Sequence, residues 1–218
     1  MSQIVLAADL AGEPVEGLPS DPYAASVELH LDFADGFTDI SGKNRTVTAQ
    51  SGTVTVSGGV ANMLGGYLQS NNVDGGLTIN SGQDFTLEIW GNATDFNNRG
   101  IFGTSTGGNM QILGNESLNS LTSYWNGYLW QNVAGPLVPN QEFMFSISRL
   151  AGVARLHRNG VFVASNAGFS STSFVADWFG YCLYRSQLPG ILRRVRVTRG
   201  VGRYGGSNYD LPFPLGPQ

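Results

Sequence analysis

Residues 189–213 read PGILRRVRVTRGVGRYGGSNYDLPF, and this stretch says more about the fold than any other part of the chain. Between Ile191 and Thr198, apolar residues and arginines alternate, which is the period-two pattern of a β-strand. The glycines and tyrosines that follow are poorly suited to continue a strand. A strand that runs into such a tail predicts the closing edge of a β-sandwich.

Short segments with the same strand character fill the rest of the chain. The 218 residues are 41% hydrophobic and 13% charged and include 30 glycines, a profile typical of many short strands joined by tight turns. Phe85–Trp90 is the strongest buried strand of the first half, and Asn159-Gly160 predicts a two-residue hairpin turn. No window has sustained helical spacing of its apolar residues. About fourteen strands without a helix predict an all-β, two-sheet antiparallel β-sandwich of the jelly-roll kind.

The first 22 residues differ from the remainder. Three prolines and several acidic residues predict an extended N-terminal arm over 1–22, followed by one sandwich domain over 23–218. No apolar run approaches the roughly 18 residues that span a bilayer, so no membrane insertion is expected. The N-terminus lacks the basic start of a signal peptide, and the single cysteine, Cys182, fits synthesis in a reducing cytoplasm.

Charge is distributed unevenly along the chain. Residues 1–148 contain 14 acidic and three basic residues, whereas residues 149–218 contain nine arginines and two acidic residues. Two alternatives stay open: the regions attract each other between copies, which predicts a homo-oligomer, or they pair within one molecule. A pI of about 5.0 argues against nucleic-acid binding. The candidate subunit contacts are three arginines of the closing strand: Arg193, Arg194 and Arg196.

The residue pattern does not support catalysis. A glycosidase needs two carboxylates at the scissile bond, and the Phe85–Trp90 strand supplies only Glu88. His30 and His157 lack the short spacing of a metal-binding pair, and Cys182 is interpreted as a buried core thiol. The sequence therefore predicts neither an enzyme nor a bound cofactor. Calcium bound by loop oxygens is left as an open alternative, and its candidate ligands are Asp35, Asp39, Asn71, Asn72 and Asp74.

An aromatic segment, SYWNGYLWQN at residues 123–132, supplies the candidate glycan contact. Exposed aromatic rings stack on sugar rings, and neighbouring amides hydrogen-bond the sugar hydroxyls. The residues assigned to this contact are Trp125, Asn126, Tyr128 and Trp130. In the alternative interpretation, the two tryptophans are core residues on either side of a hairpin turn.

Several short motifs, in their order and spacing, resemble one known group of proteins. They are Asp21-Pro22-Tyr23, Asp39–Lys43, Gly65–Leu68, Phe85–Trp90, Arg158-Asn159-Gly160 and Val195–Tyr204, the last followed by Pro212-Phe213-Pro214. Together they resemble the concanavalin A-like lectin/glucanase superfamily, and within it the laminin-G-like domains of bacteriophage virion and tail proteins. The chain departs from that pattern at Arg193 and Arg194, where the family usually has acidic residues.

The resemblance implies a function as well as a fold. It implies a non-enzymatic structural protein of a bacteriophage virion, made in the host cytoplasm, that decorates the capsid or belongs to the tail. The arm over residues 1–22 would bind other virion proteins, for example by strand addition. The alternative is a carbohydrate-binding module that aids attachment to host-surface glycans.

Overall fold

The computed structural model describes residues 21–105, 110–115, 120–125, 128–130, 138–167, 173–183 and 185–211, with the backbone alone described between 110 and 130. One turn of 3₁₀ helix, Ala24–Ser26, precedes a series of strands. Their bounds in chain order are β1 Val27–Leu31, β2 Val47–Gln50, β3 Thr53–Ser57, β4 Val60–Leu64, β5 Tyr67–Ser70, β6 Thr78–Ile79, β7 Phe85–Ala93, β8 Arg99–Gly103, β9 Met110–Asn115, β10 Ser120–Trp125, β11 Tyr128–Trp130, β12 Glu142–Leu150, β13 Val153–Arg158, β14 Val161–Asn166, β15 Phe174–Val175, β16 Trp178–Phe179, β17 Ser186–Gln187 and β18 Gly190–Arg199. Within the described ranges, no helix has the length and apolar character needed to cross a bilayer.

The strands form two large sheets, which confirms the predicted all-β sandwich. Sheet A has the order β14-β13-β12-β7-β18-β4-β3, and β1 pairs with β18 beside this path. Sheet B has the order β11-β10-β9-β8-β16-β5-β2, and the short β17 joins β8. The remaining strands, β6 and β15, pair with each other. Apart from the parallel pairing of β17 with β8, neighbouring strands run antiparallel.

The core lies between the inner faces of the two sheets. Alternate residues of neighbouring strands point inward, because side chains alternate between the faces of a pleated strand. The inward-facing residues are fully or almost fully buried, and they include Leu87, Ile89, Phe145, Ile147, Val195 and Val197 from sheet A and Leu68, Phe102 and Phe179 from sheet B. Burial of this apolar surface provides the main driving force for association of the sheets.

The strand in the first part of residues 189–213, β18, lies in the middle of sheet A. The prediction that this strand forms a closing edge of the sandwich is therefore wrong. β18 pairs with β7 on one side and with β1 and β4 on the other. A bulge between Leu192 and Arg194 also shifts the predicted alternation, so that Leu192 and Val195 are both buried in the core. Arg193 therefore does not share the side of Val195, and its Nε donates to Glu142 at 2.8 Å.

Residues 200–211, here called the tail, lie across the outer face of sheet A. The turn between β13 and β14 is the predicted hairpin, with Asn159 and Gly160 at φ of 50° and 78°. The backbone N–H of Tyr209 donates to Gly160 O at 2.9 Å, and Asn208 accepts from the N–H of Phe162. The tail thus covers the outer face of sheet A over β7, β12 and β13.

Candidate functional site

Arg196, one of the predicted subunit contacts, is a buried internal residue. Its side chain is 5% exposed, and its Nε and Nη2 donate to the two carboxylate oxygens of Glu88 at 2.5 and 2.6 Å. Burial acts to lower the pKa of Arg196, but the charge and hydrogen bonds of Glu88 outweigh it and raise the pKa. Arg196 is therefore occupied within its own chain, and it offers no surface to a neighbouring subunit.

The tail closes over this ion pair. The Tyr204 hydroxyl donates to Glu88 Oε1 at 2.5 Å, and the Tyr204 ring stacks on Tyr209 with centroids 3.7 Å apart. Burial, and then the charge of Glu88, raises the pKa of Tyr204. Arg203 donates two hydrogen bonds of 2.8 Å to Asp21, which ties the end of the predicted arm to the tail. The region of the outer face around Glu88 is thus covered by the tail, and Glu88 is shielded from solvent.

The other arginines of β18 also have partners in the chain. Arg193 pairs with Glu142, and Arg199 pairs with Glu28 at 3.4 Å. Arg194 lies opposite Trp90 in the β18–β7 ladder and is half-buried. The acidic first part and basic second part of the sequence therefore meet within one molecule, chiefly inside sheet A. The charge asymmetry is explained without contacts between copies, and the homo-oligomer stays a prediction.

Four of the five candidate calcium ligands accept hydrogen bonds from other parts of the chain. Asp39 accepts from the backbone N–H groups of His30, Ser41 and Arg45 at 2.9 to 3.0 Å. Asn71 accepts from the N–H of Thr46, Asn72 accepts from that of Leu77, and Asp35 is exposed in a turn. No group of three His, Cys, Asp or Glu side chains in the described part of the chain is arranged to hold a metal.

Asp74, the last of these candidates, is bound by a guanidinium group. Arg45 donates to Asp74 at 2.6 Å and to Glu28 at 2.7 Å, with its own side chain 2% exposed. The hydrogen bond from Arg45 lowers the pKa of Asp74 to about 2. A fixed positive charge therefore already lies between the two carboxylates that come together in this region.

The predicted thiol environment is confirmed. Cys182 has no exposed surface, and burial raises its pKa to about 12. A thiol at this pKa is almost entirely protonated near neutral pH and is a poor nucleophile.

The predicted glycan contact lies partly outside the described residues. Trp125 pairs with Tyr128, and Ser123 pairs with Trp130, in the β10–β11 ladder of sheet B. Asn126 and the side chains of the three aromatic residues are outside the described part. The assignment of these residues to a glycan site therefore stays a prediction.

Three other aromatic residues form a half-buried cluster on the outer face of the same sheet. Tyr67 of β5 stacks on Tyr181 with ring centroids 4.6 Å apart, and it meets the edge of Trp178 at 5.7 Å. Trp178 and Tyr181 are 5.2 Å apart, and all three rings are half-buried. We call Tyr67, Trp178 and Tyr181 the aromatic cluster.

Strand pairing and one glycine place these rings together. Leu68 and Phe179 point into the core, so the residues beside them, Tyr67 and Trp178, point outward. Gly103 of β8 is the register partner of Trp178. A Cβ on Gly103 would lie 2.7 Å from the carbonyl oxygen of Tyr181, so only glycine allows the chain to cross the sheet closely here. That crossing brings the Tyr181 ring onto Tyr67.

Neutral polar groups surround the aromatic cluster. Gln69 is the register partner of both Trp178 and Thr48, and Gln50 donates to the Thr48 hydroxyl at 2.8 Å. Asp177 is 2% exposed, accepts from the N–H of Ser105 at 2.8 Å and is also bonded by the Gln69 side chain. Burial raises the pKa of Asp177 despite these hydrogen bonds. Aromatic rings with fixed amides and hydroxyls beside them are suited to bind sugar rings.

Sequence reasoning did not find this cluster, because its members are far apart along the chain. Tyr67 lies more than a hundred residues before Trp178, and they become neighbours only through the β5–β16 pairing. The alternation of Tyr67 with buried Leu68 was a usable signal that Tyr67 faces outward. Nothing in the sequence around Trp178 indicated which strand would lie beside it.

Comparison with protein-family profiles finds no match for this sequence. A search of characterised proteins by sequence finds none either.

Solved structures do share the fold. Domain 4 of AbnA, a GH43 extracellular arabinanase from Geobacillus stearothermophilus solved with arabinotriose, is 18% identical with a TM-score of 0.59, covering 80% of this chain and 93% of that domain. A botulinum neurotoxin type C structure, whose cell entry depends on two ganglioside molecules, is 13% identical with a TM-score of 0.52, and the match covers 86% and 49% of the chains. Trypanosoma rangeli sialidase is 9% identical with a TM-score of 0.61, at 80% and 30% coverage.

The chain thus spans nearly all of the arabinanase domain but half or less of the other two proteins. At these identities the likeness establishes the fold alone. The protein has the β-sandwich architecture of lectin-like domains and of domains attached to glycoside hydrolases, consistent with a concanavalin A-like fold.

Proposed function

We propose that this β-sandwich is a carbohydrate-binding module without catalytic activity. The observation that carries the proposal is the aromatic cluster, a group of three half-buried rings beside amide and hydroxyl groups on the outer face of sheet B. Sugar rings present C–H faces that stack on such rings, and their hydroxyls need fixed polar partners. The presence of arabinotriose on the arabinanase domain, and the dependence of the neurotoxin on gangliosides, support this choice among functions.

The absence of catalysis in this proposal rests on the state of Glu88. A glycosidase acid or nucleophile must reach the sugar, and it works with a second carboxylate a few ångströms away. Glu88 is 2% exposed and is bonded by Arg196 and Tyr204 beneath the tail. Glu88 is the carboxylate whose sequence context comes closest to a glycosidase motif, and its contacts support a structural role.

A glycan array on the purified domain tests the proposal. We expect the wild-type chain to bind a defined set of glycans, and Tyr67→Ala or Trp178→Ala to weaken that binding at least about tenfold, or ~1.4 kcal/mol. Val161→Ala is the matched control, because Val161 is 52% exposed on an edge strand of sheet A. Thermal melts establish that each variant is folded. A wild-type chain that binds no glycan would refute the proposal.

The same array also tests the aromatic residues predicted from the sequence. Trp125→Ala and Trp130→Ala should reduce binding if the site extends across sheet B to β10 and β11. Unchanged binding in both variants would confine the site to the aromatic cluster.

A structural role in a bacteriophage virion, in capsid decoration or in the tail, is the second proposal, and it rests on the sequence resemblance. The structural feature that favours an anchored arm is the pair of hydrogen bonds from Arg203 to Asp21, which holds the point where the predicted arm joins the sandwich. Deletion of residues 1–20 should leave a folded domain that no longer enters particles. Normal incorporation of the truncated chain would contradict this role.

A further inference from the structure

We infer that the ligand of the aromatic cluster is a neutral oligosaccharide rather than a sialylated or sulfated one. The inference rests on the carbohydrate-binding function proposed above. It names the chemical class of sugar, and it is carried by the distribution of charge between the two sheets.

The charged residues of the strands are almost all in sheet A. The strands of sheet B, including β17, contain one charged residue, Arg99, at the first position of β8. Arg99 pairs with Asp95, four residues earlier. In contrast, the strands of sheet A contain ten charged residues: Glu28, Glu88, Glu142, Arg149, Arg155, Arg158, Arg193, Arg194, Arg196 and Arg199. The strands of sheet B are therefore built almost entirely from neutral residues.

Two stretches of the sequence that contain strands of sheet B are also poor in charge. Residues 46–73, which contain β2 to β5, include no charged residue, and residues 100–141 include only Glu116. These two stretches are rich in asparagine, glutamine, serine and threonine. Amides and hydroxyls donate to and accept from sugar hydroxyls, whereas carboxylate or sulfate groups are bound by arginine or lysine.

The acidic residue that precedes Trp178 in the chain is not available to a ligand. Asp177 is buried, and its carboxylate accepts from Ser105 and is bonded by Gln69. Its role is to hold the Gln69 amide in place, so that this neutral group lines the surface next to Trp178. Arg185, four residues after Tyr181, is exposed, and its charge acts on the thiol of Cys182. The two strands that carry Tyr67 and Trp178 contain no arginine or lysine, so among the described residues Arg185 is the nearest cation along the chain that an acidic sugar could use.

Three trisaccharides test the inference by isothermal titration calorimetry. The neutral probes are galactosyllactose and arabinotriose, and the acidic probe is sialyllactose. We expect neutral sugars to bind and sialic acid to improve affinity by less than about twofold. The affinity for the neutral sugar should also change by less than about twofold between about 20 mM and about 500 mM NaCl, because screening acts on charges. This salt dependence is measured on the wild-type chain and needs no variant.

Substitutions show whether the sugar binds at the aromatic cluster. Val161→Ala should keep the affinity of the wild type within about twofold, because Val161 is exposed on an edge strand of sheet A, whereas Tyr67→Ala should lose at least about tenfold. Binding of sialyllactose alone, with a steep salt dependence, would overturn the inference and leave carbohydrate binding intact. Failure of every neutral and acidic sugar to bind would instead overturn the proposed function itself.

Discussion

Glu88 and Arg196 form a buried ion pair at the centre of sheet A, and the tail binds to it. They lie on the two central strands of sheet A, directly opposite each other in the ladder. Both are almost completely buried, and the Tyr204 hydroxyl binds the same carboxylate from the tail. A buried ion pair contributes little net stability, because desolvation of two charges offsets their attraction. Its strict geometry, however, requires the tail to lie where Tyr204 can complete it.

Removal of one member of this pair should be costly. Arg196→Met leaves Glu88 buried without its cation, and we expect a loss of about 3–5 kcal/mol in the free energy of unfolding. The double variant Glu88→Leu with Arg196→Met should recover much of that loss, since neither charge is then buried. Urea unfolding of the single and double variants measures both values. A double variant as unstable as Arg196→Met alone would contradict this account.

His30 should make stability depend on pH. Burial, and then the charges of Arg196 and Arg194, lowers the pKa of His30 to about 4, whereas an unfolded chain takes up this proton near pH 6.5. Between these values the unfolded state binds more protons, so stability should fall as the pH falls, by up to about 1.4 kcal/mol per pH unit for this group. Urea unfolding at several pH values should give a flatter profile for His30→Gln. Equal slopes in both proteins would refute the role of His30.

The position of a strand in its sheet and the presence of a bulge cannot be read from the alternation of its residues. β18 shows both effects. The alternation in β18 correctly indicates a strand, but a central strand and an edge strand can carry similar patterns when one face bears buried ion pairs. The bulge after Leu192 then changes which side Arg193 faces. β7 is buried on both faces, one against the core and the other beneath the tail. Its polar residues therefore line an interior layer and not a binding cleft.

A substitution at Gly103 tests the close packing of Tyr181 and Cys182 against β8. Gly103→Ala places a methyl group against the Tyr181 carbonyl and 2.8 Å from Cys182 Cα, so the crossing segment must move. We expect a loss of about 1–3 kcal/mol in stability and weaker glycan binding. Near-UV circular dichroism should report a changed aromatic cluster. Gly205→Ala is the control, because no atom lies within 4 Å of its added Cβ; equal behaviour of the two variants would argue against close packing here.

Most of the described ion pairs include a residue from a strand of sheet A, whereas the strands of sheet B contain a single charged residue. The ion pairs of sheet A join the first and last parts of the chain and tie the tail to the outer face, with Asp21–Arg203 as the outermost pair. Sheet B carries half-buried aromatic rings beside neutral polar groups on its outer face. The described ion pairs of sheet A hold Asp21 and the tail in place, and the ligand binding that we propose falls to sheet B.

The sequence by itself determined the all-β sandwich, the hairpin at Asn159-Gly160 and the burial of Cys182, because alternation and turn residues are local properties of the chain. The tertiary structure alone decided that β18 is central and that Arg196 belongs to an internal ion pair. It alone also brought Tyr67 beside Trp178 and Tyr181. These features depend on pairing between strands far apart in sequence, and that pairing is set by how the two sheets pack around a common core, which no local pattern encodes.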